Sequence, residues 1–214
     1  MARLRVPGIS LSIDGFVAGP RQSLENPLGV DGQRLHQWMF DTKTFREASG
    51  LEGGTTGVDD EVFADDSDPA GALIIGRNMF GPLRGPWPDD AWRGWWGTNP
   101  PFGLPVFVLT NHPRESIEME GGTTFHFVAD GIVSALDRAF DAGAGKDVDV
   151  LGGASTIQQY LRADLVDQLK VIVVPILLGG GERLFDNVEG HLERFECTSF
   201  VASPAVAHVG FQRR

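Results

Sequence analysis

The sequence predicts an α/β fold built around a largely parallel sheet. Strand-like runs recur along the chain: "LRVPGISLSIDGFVAG", "ALIIGRNMFG", "PVFVLTN", "FHFVAD", "DVDVLGG", "LKVIVVPILLG" and "VAHVGFQ". Helix-like or loop-like segments separate them, as in βαβ units. Apolar runs such as "VIVVPILL" suit strands covered on both faces. With 214 residues, 42% hydrophobic and 22% charged, the chain can fill one substantial core, so a single domain is expected.

Taken in order, the first strand leads into a helix expected over residues 33–47. Residues 48–71 are acidic and glycine-rich and read as an exposed insertion carrying one short helix near residues 59–65. A second helix is expected over 131–142, where Ile132, Ala135, Leu136 and Ala139 form one apolar stripe. A third is expected over 155–162, where Ser155 and Gln158 have capping-box spacing. Pro175 lacks an amide hydrogen and belongs at an edge, a bulge or an exposed strand position.

Four of the five tryptophans, Trp87, Trp92, Trp95 and Trp96, lie in "GPWPDDAWRGWWGTNPPFG". Aromatics at that density must cover something, and a loop over a site mouth or a dimer interface is expected ahead of plain capping of the sheet.

The formal net charge of -11 argues against nucleic-acid and anionic-membrane partners, which need clustered Lys and Arg. Cys197 is the single cysteine and reads as a small buried hydrophobe. His36, His112, His126, His191 and His208 have no metal-ligand spacing, so no metal site is expected. No signal-peptide pattern and no apolar run of membrane-spanning length occurs, and a cytoplasmic protein is expected.

An anionic ligand would therefore be held locally. "VLGGASTIQQYL" runs from a strand through two glycines into a helix, a turn that can offer backbone amides to a phosphate or simply start a helix. It matches neither G-x-G-x-x-G nor G-x-x-x-x-G-K-[ST], and "LGGGER" at 178–183 fails the second as well. Gly76 and Arg77 stand at the end of one buried strand, and Thr110, Asn111, His112 and Arg114 follow another. In an open parallel sheet ligands sit beyond the carboxyl ends of the strands, so these groups would converge if the ends are neighbours.

The whole set of segments resembles the dihydrofolate-reductase-like family. It resembles especially the branch that holds the reductase domain of the bacterial riboflavin-biosynthesis deaminase–reductase and its stand-alone relatives. "SLSIDGFVAG" is similar to that family's first strand and loop, "IIGRNMFG" to its Gly-Arg segment, and "VLTNHPR" to its Leu-Ser/Thr-Ser segment. "VLGGASTIQQYLRADLVDQLKVIVVPILLGGGERLF" is similar to its Gly-Gly helix and long strand. The resemblance implies a three-layer sandwich with a mostly parallel central sheet and an antiparallel C-terminal strand. It also implies NADPH as cofactor, a homodimer, and a cis peptide at Gly152–Gly153. Arg77, Thr110, Asn111, His112 and Arg114 would surround the adenosine 2′-phosphate beside Gly76. Gly152, Gly153, Ala154, Ser155 and Thr156 would cradle the pyrophosphate, and Ala18 would border the nicotinamide.

Two positions depart from the riboflavin reductases. Phe16 replaces a usual basic residue and Gly152 a usual glutamate. Asp31 and Glu47 flank the first helix, and neither matches the carboxylate that dihydrofolate reductases place there. No zinc-deaminase motif is present. Asp14 is the best candidate for a catalytic acid or orienting group, with an Asp-Gly turn as the bland alternative. The expected function is NADPH-dependent reduction of a small pyrimidine-like or pteridine-like heterocycle, similar to 5-amino-6-(5-phosphoribosylamino)uracil reductase. Dihydrofolate reduction and non-catalytic NADPH binding are the alternatives.

Overall fold

A computed structural model of the chain describes residues 2–65 and 67–214. Among the described residues eleven strands form: β1 (Leu4–Ser12), β2 (Phe16–Ala18), β3 (Ala72–Gly76), β4 (Pro105–Leu109), β5 (Ile117–Glu118), β6 (Thr124–Val128), β7 (Val148–Gly152), β8 (Gln168–Val174), β9 (Glu182–Arg183), β10 (Phe195–Ala202) and β11 (Ala207–Arg213). Helices are α1 (Gln37–Phe40), α2 (Lys43–Ala48), α3 (Val58–Ala64), α4 (Arg77–Phe80), α5 (Ile132–Ala142) and α6 (Ala154–Arg162).

Nine strands make one sheet in the order β10-β11-β8-β1-β7-β3-β4-β6-β5, and β2 pairs with β9 in a separate ribbon. The pairings β8-β1-β7-β3-β4-β6 are parallel, and β11 and β10 are antiparallel at one edge. This is the expected mixed, mostly parallel sheet with an antiparallel C-terminal strand. β10, polar and without clean alternation, has no counterpart among the strands expected from the sequence.

Alternation along the central strands separates two cores. Ala72 and Ile74 of β3, Phe107 of β4, and Val148 and Val150 of β7 pack under α5 and α6 with Ala135, Leu136, Ile157, Tyr160 and Leu161. Leu73 and Ile75, with Val106 and Val108, face the opposite way onto Phe80, Phe125 and the tryptophan loop. Tyr160 is fully buried, and its hydroxyl donates to the Ile132 carbonyl at 2.9 Å, tying α6 to the start of α5.

The single helix expected over 33–47 is broken. A 3-10 turn (Gly32–His36) leads into α1, and α2 starts afresh because the Thr42 hydroxyl caps it, accepting from the Phe45 amide at 3.3 Å. The insertion does carry its short helix, α3, but its acids are not simply solvated. Asp59 bonds the buried His208 ring at 2.7 Å, and Asp68 bridges Arg3 and Arg5 at 2.7 and 2.9 Å. Asp66, in the same acidic run, lies outside the described residues. Arg5 and Asp149 form a nearly buried pair at 2.7 Å, and burial raises the Asp149 carboxyl above its ordinary value despite the Arg5 hydrogen bond.

One further expectation is corrected. Cys197 lies exposed on edge strand β10 instead of in the core. Three of the clustered tryptophans, Trp87, Trp92 and Trp96, pack on the sheet around the fully buried Phe80, and Trp87 also stacks on Arg77, so the loop both caps the second core and borders the rim. Pro175 is exposed and follows the last residue of β8, where it interrupts no ladder.

Candidate functional site

Register brings the expected segments together. In the adjacent parallel strands β7, β3 and β4, Ile75 is level with Gly152 and Gly76 with Leu109. The turn after each strand therefore opens at the same height on the same rim of the sheet. Gly76 lies so close to its neighbours that an added Cβ would stand 2.4 Å from the Thr156 hydroxyl and 3.5 Å from the Gly153 amide nitrogen. Only glycine permits that approach.

These turns border a cleft of about 520 Å³ lined by Gly76, Arg77, Thr110, Asn111, His112, Ser155 and Thr156, among others. Arg77 stands at the first position of α4, and its guanidinium carbon lies 3.8 Å from the centroid of the Trp87 ring. Its Nε and Nη2 are buried without a hydrogen-bond partner, and among the described residues no carboxylate pairs with it. Burial accordingly pulls the guanidinium below its ordinary value, as for a cation removed from water without a counter-charge. The nearly buried Thr110 hydroxyl accepts from the His112 amide at 3.1 Å, and the His112 carbonyl accepts from Trp87 Nε1 at 2.7 Å. The post-β4 turn and the tryptophan loop thus hold each other in place beside Arg77.

The peptide bond between Gly152 and Gly153 is cis. α6 begins at Ala154 with Gly153 as its N-cap, not at Ser155, and no side chain caps it. The expected capping box does not form, because the Gln158 side-chain amide instead donates to the Arg183 carbonyl at 2.7 Å. No side chain therefore competes for the first amides of α6, which leaves that positive end open toward the cleft.

Six expected site residues do not line the cleft: Gly152, Gly153 and the buried Ala154 form the turn into α6, and Arg114, Ala18 and Asp14 stand apart. Arg114 does not line the cleft: its guanidinium donates to the backbone carbonyls of Trp92 at 2.9 Å and Asp90 at 2.7 Å, so it braces the tryptophan loop. Ala18 is buried in β2, opposite Glu182. Asp14 is no acid. Its carboxylate takes the Ser12 hydroxyl at 2.6 Å and the amides of Gly179 and Leu178 at 2.7 and 3.1 Å. The Ser12 hydrogen bond, with help from those amides, brings its pKa down to about 2.

Sequence reasoning missed other lining groups, including Arg84, Gly131, Gln159 and Glu182. Gly131 was within reach, since "FHFVADG" is another strand ending on the same rim. Arg84 and Glu182 carry no local signal. Among the described residues no group of three or more His, Cys, Asp or Glu side chains is arranged to hold a metal, and no helix is long and apolar enough to cross a membrane.

Residues 8–209 match the family described as the RibD C-terminal domain. The chain belongs to the RibD C-terminal domain family. A Shewanella sp. PV-4 protein provisionally named a riboflavin biosynthesis protein superposes over 100% of this chain and 99% of its own, with a TM-score of 0.64 and 24% identity. Dihydrofolate reductase from Enterococcus faecalis, solved with NADP(H) and RAB-propyl, superposes over 99% of this chain and 96% of its own, with a TM-score of 0.52 and 13% identity. These likenesses establish the dihydrofolate-reductase-like fold. An uncharacterised Bacillus subtilis protein, YyaP, is 33% identical over 63 residues, which span 29% of this chain and 33% of that relative. The RibD C-terminal match thus takes in every turn that borders the Arg77 cleft.

Proposed function

We propose that the protein is an NADPH-dependent reductase of a small pyrimidine-like or pteridine-like heterocycle, similar to 5-amino-6-(5-phosphoribosylamino)uracil reductase. The observation that carries this reading is Arg77: a cation at the rim of the parallel sheet, with two donors lacking acceptors and no paired carboxylate among the described residues. A dianion such as the adenosine 2′-phosphate satisfies that demand, and an arginine fork suits it geometrically. Thr110, Asn111 and His112 flank Arg77, and the uncapped start of α6 with Ser155 and Thr156 suits the pyrophosphate.

The cofactor would supply the hydride; this chain's part is to bind, orient and exclude water. Asp14 supplies no proton, since its carboxylate is committed to Ser12 and to two amides. Dihydrofolate reduction is disfavoured at the first strand. There the Trp38 indole N–H of α1 donates to the buried Ser10 hydroxyl at 3.0 Å, and among the described residues no carboxylate bonds to it. A homodimer belongs to the same reading, and β10 leaves its outer backbone edge unpaired at one end of the sheet.

Titration with NADPH and NADH, repeated on Arg77→Ala, tests the nucleotide assignment. NADPH should bind the wild type at least tenfold tighter than NADH, and the substitution should abolish the preference. Equal affinities, or an unaffected variant, overturn the assignment. NADPH oxidation screened against pterins and reducible pyrimidines tests turnover: cofactor binding without turnover would favour the non-catalytic alternative. Sedimentation tests the dimer.

A further inference from the structure

The glycine-rich stretch "LGGGER" fits no phosphate-binding pattern, yet it connects the two halves of the molecule's functional rim. At its start, the amides of Leu178 and Gly179 donate to the two oxygens of Asp14 at 3.1 and 2.7 Å. In its middle, Gly181 crosses β2 so closely that a Cβ there would stand 1.9 Å from the Ala18 carbonyl oxygen. At its end, β9 pairs with β2, Phe16 opposite Arg183 and Ala18 opposite Glu182. From there the strap reaches the nucleotide cleft once directly and once through α6, which borders it. Glu182 lines the cleft, and the Arg183 carbonyl receives the Gln158 side chain from α6. The Leu184 amide closes the circuit by donating to the Gly15 carbonyl at 3.1 Å.

A carboxylate spending both oxygens on consecutive loop amides fixes the position and direction of that loop. Because the strap is glycine-rich it has little stiffness of its own, and its placement depends on such anchors. We infer that Asp14 is a positioning residue: it pins the 178–183 strap, and through Glu182 and the Arg183–Gln158 contact it sets cofactor affinity at a cleft it does not touch. The inference rests on the nucleotide reading above. Asp14 itself does not line that cleft; it borders a separate, smaller one with Gly15, Arg183 and Asp186.

The experiment compares wild type with Asp14→Asn, which keeps one acceptor but turns an N–H₂ toward the strap amides. Amide hydrogen exchange is followed by NMR without ligand, and NADPH affinity is measured by calorimetry. In the wild type the Gly179 amide should be protected although it lies on an exposed loop. In the variant its exchange should rise at least tenfold, together with exchange in β2, while β3 and α5 keep their protection. The NADPH dissociation constant should rise about tenfold. Unprotected Gly179 in the wild type removes the latch outright, with no variant required. Uniformly raised exchange means a merely structural residue, and faster Gly179 exchange with unchanged NADPH affinity means a latch without influence on the cleft; either overturns the inference. A wild-type chain that binds no NADPH overturns instead the nucleotide reading on which it rests.

Discussion

The Arg77 guanidinium carbon stands 3.8 Å from the Trp87 ring centroid, close enough for a cation–π contact worth roughly 0.5–2 kcal/mol. That packing also buries Nε and Nη2. An anion that takes up those nitrogens should displace the Trp87 ring stacked on the guanidinium. Adenosine 2′,5′-bisphosphate, which lacks the nicotinamide chromophore, should therefore change tryptophan fluorescence on binding. In Trp87→Phe most of the change should vanish while the fragment still binds. Binding with no fluorescence change in the wild type would mean that the loop stays put.

Arg77→Lys keeps the charge but loses the planar fork and its stacking on Trp87. Losing one charge-assisted hydrogen bond costs about 1.5–3 kcal/mol, or roughly 10- to 150-fold in affinity. Calorimetry with NADPH should therefore show Lys behaving nearer to Ala than to Arg.

Gly76→Ala should place a methyl group 2.4 Å from the Thr156 hydroxyl oxygen, a clash backed by the first turn of α6. Overpacking of this kind costs about 1–3 kcal/mol. Adding Thr156→Ala removes the offending oxygen, so the double variant should recover much of the loss in urea unfolding. Strict additivity of the two changes would show that the contact does not set the spacing.

Phe80 is fully buried and meets Trp87, Trp92, Phe125 and Phe127 edge-on at centroid distances of 5.6, 5.3, 5.0 and 5.1 Å. Phe80→Ala should cost about 3–5 kcal/mol. Because the tryptophan loop rests on that ring, its fluorescence should shift to the red even under conditions where the variant stays folded.

The pH dependence of Asp14 follows from its lowered pKa of about 2 against an ordinary 3.8. A carboxylate depressed on folding contributes stability that is fully present above its unfolded pKa and is lost as pH falls through the folded one. The stability difference between wild type and Asp14→Asn should therefore be constant above about pH 5 and shrink progressively toward about pH 1. A difference that titrates near neutrality would point to another group.

Much of the rim was legible because the signals were local. Gly76-Arg77, Thr110-Asn111 and Gly152-Gly153 each follow an apolar strand, and parallel pairing carries every such turn to one rim. The misreadings came where distant partners decide. Ser155 and Gln158 have ideal capping spacing, yet Gln158 finds the Arg183 carbonyl, remote in sequence. Arg114 sits where an anion ligand would, yet the carbonyls of Asp90 and Trp92 claim it. For Asp14 the sequence leaves an acid, an orienting group and a turn residue open, and two amides some 165 residues away are what hold its carboxylate.

By itself the sequence determined the layered α/β architecture, the parallel strands and the turns that carry polar groups, because strand periodicity and Gly-ended apolar runs act within a few residues. Tertiary structure alone decided which of those polar groups stay free. Arg77 keeps two donors without acceptors and Asp14 keeps no free oxygen, because hydrogen-bond partners are assigned by proximity in space, and a buried donor or a paired carboxylate is defined only once the neighbouring loops have arrived.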